Sequence, residues 1–210
     1  NFFSNRDLTC THDFAEQGNA VEALKIAGSS TFRARDVTVS GSFNVTESSN
    51  VGLVNLTGTG PQSTLSIQNS YVGSAYNGSV TIGGALNLWG GATLNAERLN
   101  LVGDKELLVT NASRIRASDV IFSGDGFVSS SSIFEVGRTL TFTSSTDSLR
   151  VQNASITVRG PIDLAGGRLD CYGLSVYAFT DSSFEVDSKC MSQEDWQVMM
   201  QAFKNQPAPQ

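Results

Sequence analysis

Residues Ala85–Asp104 read A-L-N-L-W-G-G-A-T-L-N-A-E-R-L-N-L-V-G-D, and residues Glu106–Asp125 read E-L-L-V-T-N-A-S-R-I-R-A-S-D-V-I-F-S-G-D. Offset by 21 positions, Leu86 and Leu88 fall on Leu107 and Val109, Leu94 and Ala96 on Ile115 and Ala117, and Leu99 and Leu101 on Val120 and Phe122. Gly90 falls on Asn111 and Gly103 on Gly124. Each unit holds three apolar-x-apolar triplets separated by short polar corners. Alternation of this kind puts both apolar residues of a triplet on one face of a strand. Repeated at a fixed period, it predicts a β-solenoid.

The frame extends outward from this pair. Ala23–Ser42 fits without a gap, and Ser148–Gly167 fits after a one-residue slip. The first inward residues of successive coils read Leu24, Phe43, Leu65, Leu86, Leu107, Val128, Leu149 and Leu169, spaced 19 to 22 residues apart. Gly28, Asn69, Gly90, Asn111, Asn153 and Gly173 recur four residues after these starts, and Gly41, Gly103, Gly124 and Gly166 mark a second corner. Gly and Asn are the residues that tolerate φ > 0 at a sharp corner. The predicted fold is all-β: a parallel β-solenoid of about eight coils of about 21 residues, three short strands each, over residues 23–188.

The ends break the repeat. Residues 1–22 are expected to cap the first coil, with Phe2, Phe3, Phe14 and Val21 over its apolar cross-section and a short helix opening at Thr11 or Asp13. Residues 189–210 are expected to form a capping helix and tail: Ser192 can N-cap it, and Trp196, Met199, Met200 and Phe203 recur at i, i+3, i+4, i+7. Cys171 and Cys190 flank the last coil and are expected to form a disulfide worth about 3 kcal/mol, which implies an oxidising compartment and leaves Cys10 unpaired within the fold. The chain begins at Asn1 rather than Met, as a processed or truncated N-terminus would.

Charge and composition narrow the function. Charged residues make up 16% of the chain and the net charge is −6, with no Lys/Arg stripe, which argues against a nucleic acid partner. No apolar run reaches the roughly 18 residues of a membrane-spanning helix, so no membrane insertion by this segment is expected. The outward positions of the strands show no adjacent acidic pair, and His12, the single histidine, lies outside the repeat. Sugar-cleaving enzymes need clustered carboxylates, so no catalytic residues are assigned. An ice-binding face needs a regular threonine ladder, and only Thr139–Thr143 supplies alternating threonines. No metal site and no cofactor is expected; Asp104 and Asp125 share a phase but fit a corner-capping role better. Five N-x-S/T sequons stand at Asn44, Asn55, Asn77, Asn111 and Asn153.

One stretch departs from the template. Between Asn69 and Ser79 the middle strand of the third coil is replaced by Y-V-G-S-A-Y-N-G, which predicts a bulge from one face. Tyr71 and Tyr76 on this bulge, with Trp89 one coil along, are the candidate binding residues.

The unit G-A-L-N-L-W-G-G-A-T-L-N-A-E-R-L-N-L-V-G-D resembles the right-handed parallel β-helix of secreted adhesins and autotransporter passenger domains. That resemblance implies right-handed coils and an extracellular or cell-surface location. It also implies a non-catalytic structural or adhesive role, with a protein or surface polysaccharide partner or self-assembly. The chain is similar, less closely, to extracellular subunits of pilus-like filaments. A polysaccharide-binding or polysaccharide-processing β-helix is the remaining alternative.

Overall fold

The alternation becomes an inside and an outside. In the strand Leu86–Trp89 both leucines are buried, while Asn87 and Trp89 are half-buried; Thr64–Gln68 repeats the pattern with Leu65 and Ile67 inside. These strands pair in parallel, with Leu65, Leu86 and Leu107 in one column and Ile67, Leu88 and Val109 in the next. Parallel stacking of like on like excludes the antiparallel sandwich that the same alternating segments could build. The computed structural model describes residues 7–9, 14–15, 22–103, 105–173, 175–179, 191–192 and 198, with side chains from residue 24 onward apart from 75–77 and 191–192.

Among the described residues the chain is an all-β parallel β-solenoid of about seven turns. One sheet holds eight strands in chain order: Glu22–Ile26, Ser42–Val45, Thr64–Gln68, Leu86–Trp89, Leu107–Val109, Asp125–Ser129, Ser148–Gln152 and Arg168–Tyr172. Seven steps of about 4.8 Å separate its first and last strands, a ladder of about 34 Å. The other sheet holds thirteen strands and faces the first across a core of leucine, valine, isoleucine and phenylalanine. No helix among the described residues is long and apolar enough to cross a membrane.

Two expectations about the coil are corrected. The second and third strands of the middle coils are not separate: Asn50–Gly58, Tyr71–Ile82, Thr93–Leu101, Arg114–Phe122 and Ile133–Phe142 each run through both. The inside–outside alternation breaks in the middle of each, where a corner was expected, and extra residues in Tyr71–Ile82 and Ile133–Phe142 shift the register opposite Leu53–Asn55, Asn95–Arg98 and Ala117–Asp119. The first such bend shows the cause: the backbone N–H groups of Val54 and Asn55 both donate to Arg35 O at 2.9 Å, two residues facing one. The third-coil insertion adds its extra residues at this same bend. The second correction concerns the inward column, where Gly126, not Val128, follows Leu107 and precedes Leu149. Val128 stacks on Val109 instead, and Phe127 points outward, half-buried.

The corners follow turn chemistry. Gly28, Asn69, Gly90, Asn111, Asn153 and Gly173 all have positive φ, and Glu47–Ser48 and Ser130–Ser131 hold the same conformation in the coils that lack Gly or Asn there. Just beyond this corner stands a column of buried small residues that includes Ser30, Ser49, Ser113, Ser132 and Ser175. Several of their hydroxyls bond backbone groups: Ser49 Oγ donates to Thr46 O at 2.7 Å and Ser175 Oγ to Val151 O at 3.0 Å, and Ser132 Oγ accepts from Ser113 N at 3.2 Å. At the second corner Gly124 and Gly166 also have positive φ. Gly103 does not, and is needed for another reason: a Cβ there would collide with the carbonyl oxygen of Gly83.

Near the N-terminus the described residues depart from the expected cap. Asp7–Thr9 pairs with Thr31–Arg33, and Phe14–Ala15 pairs with Val37–Thr38 where the short helix was expected, so both segments extend the ladder. Such pairing satisfies the open edge of the first coil. Met191–Ser192 pairs with Val176–Tyr177, and Val198 is helical and exposed. The other residues assigned to the two caps lie outside the described residues.

Candidate functional site

Because the bends stack, they form a line along the rod, and that line is a groove. Its volume is about 600 Å³, and it runs from Ser74 in the third coil through Asn95–Glu97, Arg116–Ser118 and Glu135–Gly137 to Arg159. Five successive coils contribute. The inserted residues of Tyr71–Ile82 stand at its first end, next to Ser74. Ala96, Ala117, Val136 and Gly137 line it from below, so backbone and small side chains leave room between the charged walls.

The walls are a chain of paired charges. Glu135 accepts from Arg114 Nη2 at 3.0 Å and from Arg116 Nε at 2.6 Å. Arg138 Nη2 donates to Glu97 Oε1 at 2.8 Å and to Asp119 Oδ2 at 2.6 Å, bridging two coils with one nitrogen. Ser118 Oγ completes Glu97 at 3.0 Å, and Thr139 Oγ1 completes Asp119 at 3.0 Å. Partial burial works to raise the pKa of Glu135, but the hydrogen bonds and charges of Arg116 and Arg114 outweigh it and hold the carboxyl below its usual value. Arg116 moves the other way, raised by its hydrogen bond to Glu135 and by that charge. Glu135 is therefore an ionised acceptor at neutral pH, unsuited to deliver a proton.

The predicted binding residues sit elsewhere. Tyr71 opens the strand Tyr71–Ile82, is 40% exposed, and its hydroxyl accepts from Asn95 Nδ2 at 3.1 Å, which ties it to the groove's first end. It also borders a shallow depression at the corner with Asn69 and Gly91. Trp89 ends its strand on the outer face of the eight-stranded sheet, across that corner from Tyr71, and the two rings do not stack. Tyr76 lies in the same strand as Tyr71, and its side chain is outside the described residues. A second concavity of about 580 Å³ lies on the outer face of the eight-stranded sheet, beside Lys105, Phe127 and Arg150.

Other candidate positions resolve structurally. Asp125 accepts from Ser148 Oγ, while Asp104 is outside the described residues. No group of three or more metal-ligating side chains occurs among the described residues. Asn55 is tied on both sides, donating to Asp36 Oδ1 at 2.6 Å and accepting from Ser79 N at 3.0 Å.

Sequence reasoning missed the groove. Glu97, Ser118, Asp119 and Arg138 fall in stretches read as polar corners, and Glu135 falls in the sixth coil, whose register was displaced. The signal that could have found them is the repeated A-E-R, A-S-D and V-G-R at one phase, each a small or apolar residue with a charged one two positions on.

Fold and groove define a class by architecture: a parallel β-solenoid with a charge-paired lateral groove. None of the protein-family models, curated proteins or solved structures compared with the chain matches it.

Proposed function

We propose that the chain is a non-catalytic structural or adhesive module of the extracellular space or cell surface, a stiff rod whose side attaches to another macromolecule. The observation that supports this best is the state of the groove's carboxylates. Glycoside cleavage needs one carboxyl kept protonated as an acid and another free as nucleophile or base. Glu135 is pushed away from the protonated form, and Glu97 and Asp119 share Arg138. Incubated with hyaluronan, polygalacturonate or neutral glucans, the purified chain is expected to release no reducing ends and no unsaturated sugar. Sustained turnover of any of them overturns the reading.

The same proposal includes a disulfide between Cys171 and Cys190. Cys171 is buried on the inner face of Arg168–Tyr172, the last strand of its sheet. Met191, the residue after Cys190, joins the parallel ladder against Val176, bringing the chain back to the end of the rod where Cys171 lies. Non-reducing peptide mapping is expected to recover Cys171 and Cys190 as one linked pair. A Cys10–Cys171 peptide in its place would defeat the assignment. Tyr71 and Trp89, on two sides of one corner, and Tyr76 remain the proposed aromatic contacts.

A further inference from the structure

The geometry points to an acidic polysaccharide as the groove's ligand: an extended strand lying along the bulge line, with one carboxylate paired to Arg159. This rests on the reading of the chain as a binding module, and names what that module holds.

Charge gives the first argument. Three carboxylates (Glu97, Asp119, Glu135) stand with three arginines (Arg114, Arg116, Arg138), every one of them in an ion pair. Arg159 is a fourth arginine in the groove, exposed; its backbone N–H donates to Val136 O, but its side chain makes no ion pair or hydrogen bond among the described residues. In a chain of net charge −6 the groove thus carries a local surplus of positive charge at its far end. A guanidinium fits a carboxylate bidentately, and a neutral polymer offers it nothing equivalent.

Unspent hydrogen-bonding capacity gives the second. Ser74 Oγ is buried at the opposite end and has no hydrogen-bond partner among the described residues. Asn95 has its carboxamide oxygen directed by the Tyr71 contact of its Nδ2, and Ser118 retains lone pairs after donating to Glu97. A hydroxyl-rich ligand can satisfy all three.

Shape separates a sugar strand from a peptide. The strands beneath the groove are already paired with neighbours on both sides, so no open edge remains for an added strand. The lining offers alanine, glycine and one valine but no deep apolar pocket for an aromatic or aliphatic anchor of the kind that dominates protein interfaces. An open channel crossing coils at about 4.8 Å per step suits a repeating polymer.

The test uses affinity electrophoresis and calorimetry of the intact chain with hyaluronan and polygalacturonate, with the carboxyl-reduced form of each, and with poly-glutamate. Expected is binding to at least one acidic polysaccharide, lost on carboxyl reduction and weakened tenfold or more by Arg159→Ala, with unchanged thermal unfolding. Gly137→Gln should also weaken it by filling the channel: a Cβ at Gly137 lies 3.4 Å from Ser118 Cα, an ordinary contact. The inference falls if neither acidic polymer binds, if binding survives both substitutions, or if poly-glutamate binds as tightly. Each such failure leaves the non-catalytic reading standing. Turnover of a bound polymer sinks that reading without touching the groove assignment.

Discussion

Replacing Asp147 with alanine is expected to lower stability by about 3–5 kcal/mol, the largest loss from any single polar substitution in the rod. Asp147 is only 1% exposed, yet it is a carboxylate. It persists inside because four donors converge on it. Oδ1 accepts from the Gly124 N–H at 2.8 Å, and Oδ2 from Thr143 N at 2.9 Å, Thr143 Oγ1 at 3.1 Å and Ser144 N at 2.7 Å. Three of the four are backbone groups of two successive corners, so the side chain ties one coil to the next. Alanine would leave these part-buried donors without their shared acceptor, and an orphan that water does not reach costs about 1–3 kcal/mol. Asp147→Asn should cost less than alanine, because its amide oxygen can replace Oδ2 for three of the donors, although its NH₂ then opposes the Gly124 N–H and leaves that donor unsatisfied. Thermal and denaturant unfolding read the order directly. A loss below about 1 kcal/mol for Asp147→Ala would show that water or local rearrangement replaces the carboxylate.

Asp147 also marks how far the sequence could be read. T-S-S-T-D-S reads as a polar corner, and nothing in its composition distinguishes the buried carboxylate from its exposed neighbours. What was legible was whatever repeats. Leu65, Leu86 and Leu107 share a column because period 2 within a strand and period 21 between coils agree there. The left-handed corners were legible because Gly and Asn relieve a known strain. The bulge line was not, since a bulge is built from ordinary residues such as Ala96–Glu97 and Ala117–Ser118. Its signature is the pairing register, which only the neighbouring coil reveals. For the same reason the candidate site was placed on the aromatic outliers Tyr71, Tyr76 and Trp89, the residues that break the pattern. The groove's Glu97 reads as an ordinary polar corner residue and Arg116 as an ordinary outward one, while Glu135 lies in the coil whose register Gly126 shifts. At the N-terminus helical patterning misleads: Phe14–Ala15 pairs as a strand. An open sheet edge recruits nearby chain whatever its weak local preference.

The failure at Val128 leads to the second large effect. A consensus built from the other coils would place leucine at Gly126, whose column otherwise reads Leu24, Phe43, Leu65, Leu86, Leu107, Leu149 and Leu169. Gly126→Leu is nevertheless expected to destabilise by about 3 kcal/mol through overpacking. A Cβ at Gly126 would lie 2.5 Å from Leu149 Cδ1 and 2.9 Å from Phe122 Cζ. The space that leucine fills in other coils is taken by Leu149 Cδ1 and by the Phe122 ring, which packs against Phe142 with centroids 4.9 Å apart. Glycine and phenylalanine are thus one substitution split over two positions, small where the column is usually large and large where the preceding coil has Leu101. Phe122→Leu alone should open a cavity and cost about 1–2 kcal/mol. Made together, Phe122→Leu and Gly126→Leu recreate the Leu101–Leu107 arrangement of the coil before. The double variant is therefore expected to be more stable than Gly126→Leu alone, with a favourable coupling of about 1–3 kcal/mol. Denaturant unfolding of the two single variants and the double variant measures that coupling. Additive losses, or a neutral Gly126→Leu, would mean that the ring moves aside freely and that the exchange of volumes between Phe122 and Gly126 does not set the packing of this coil.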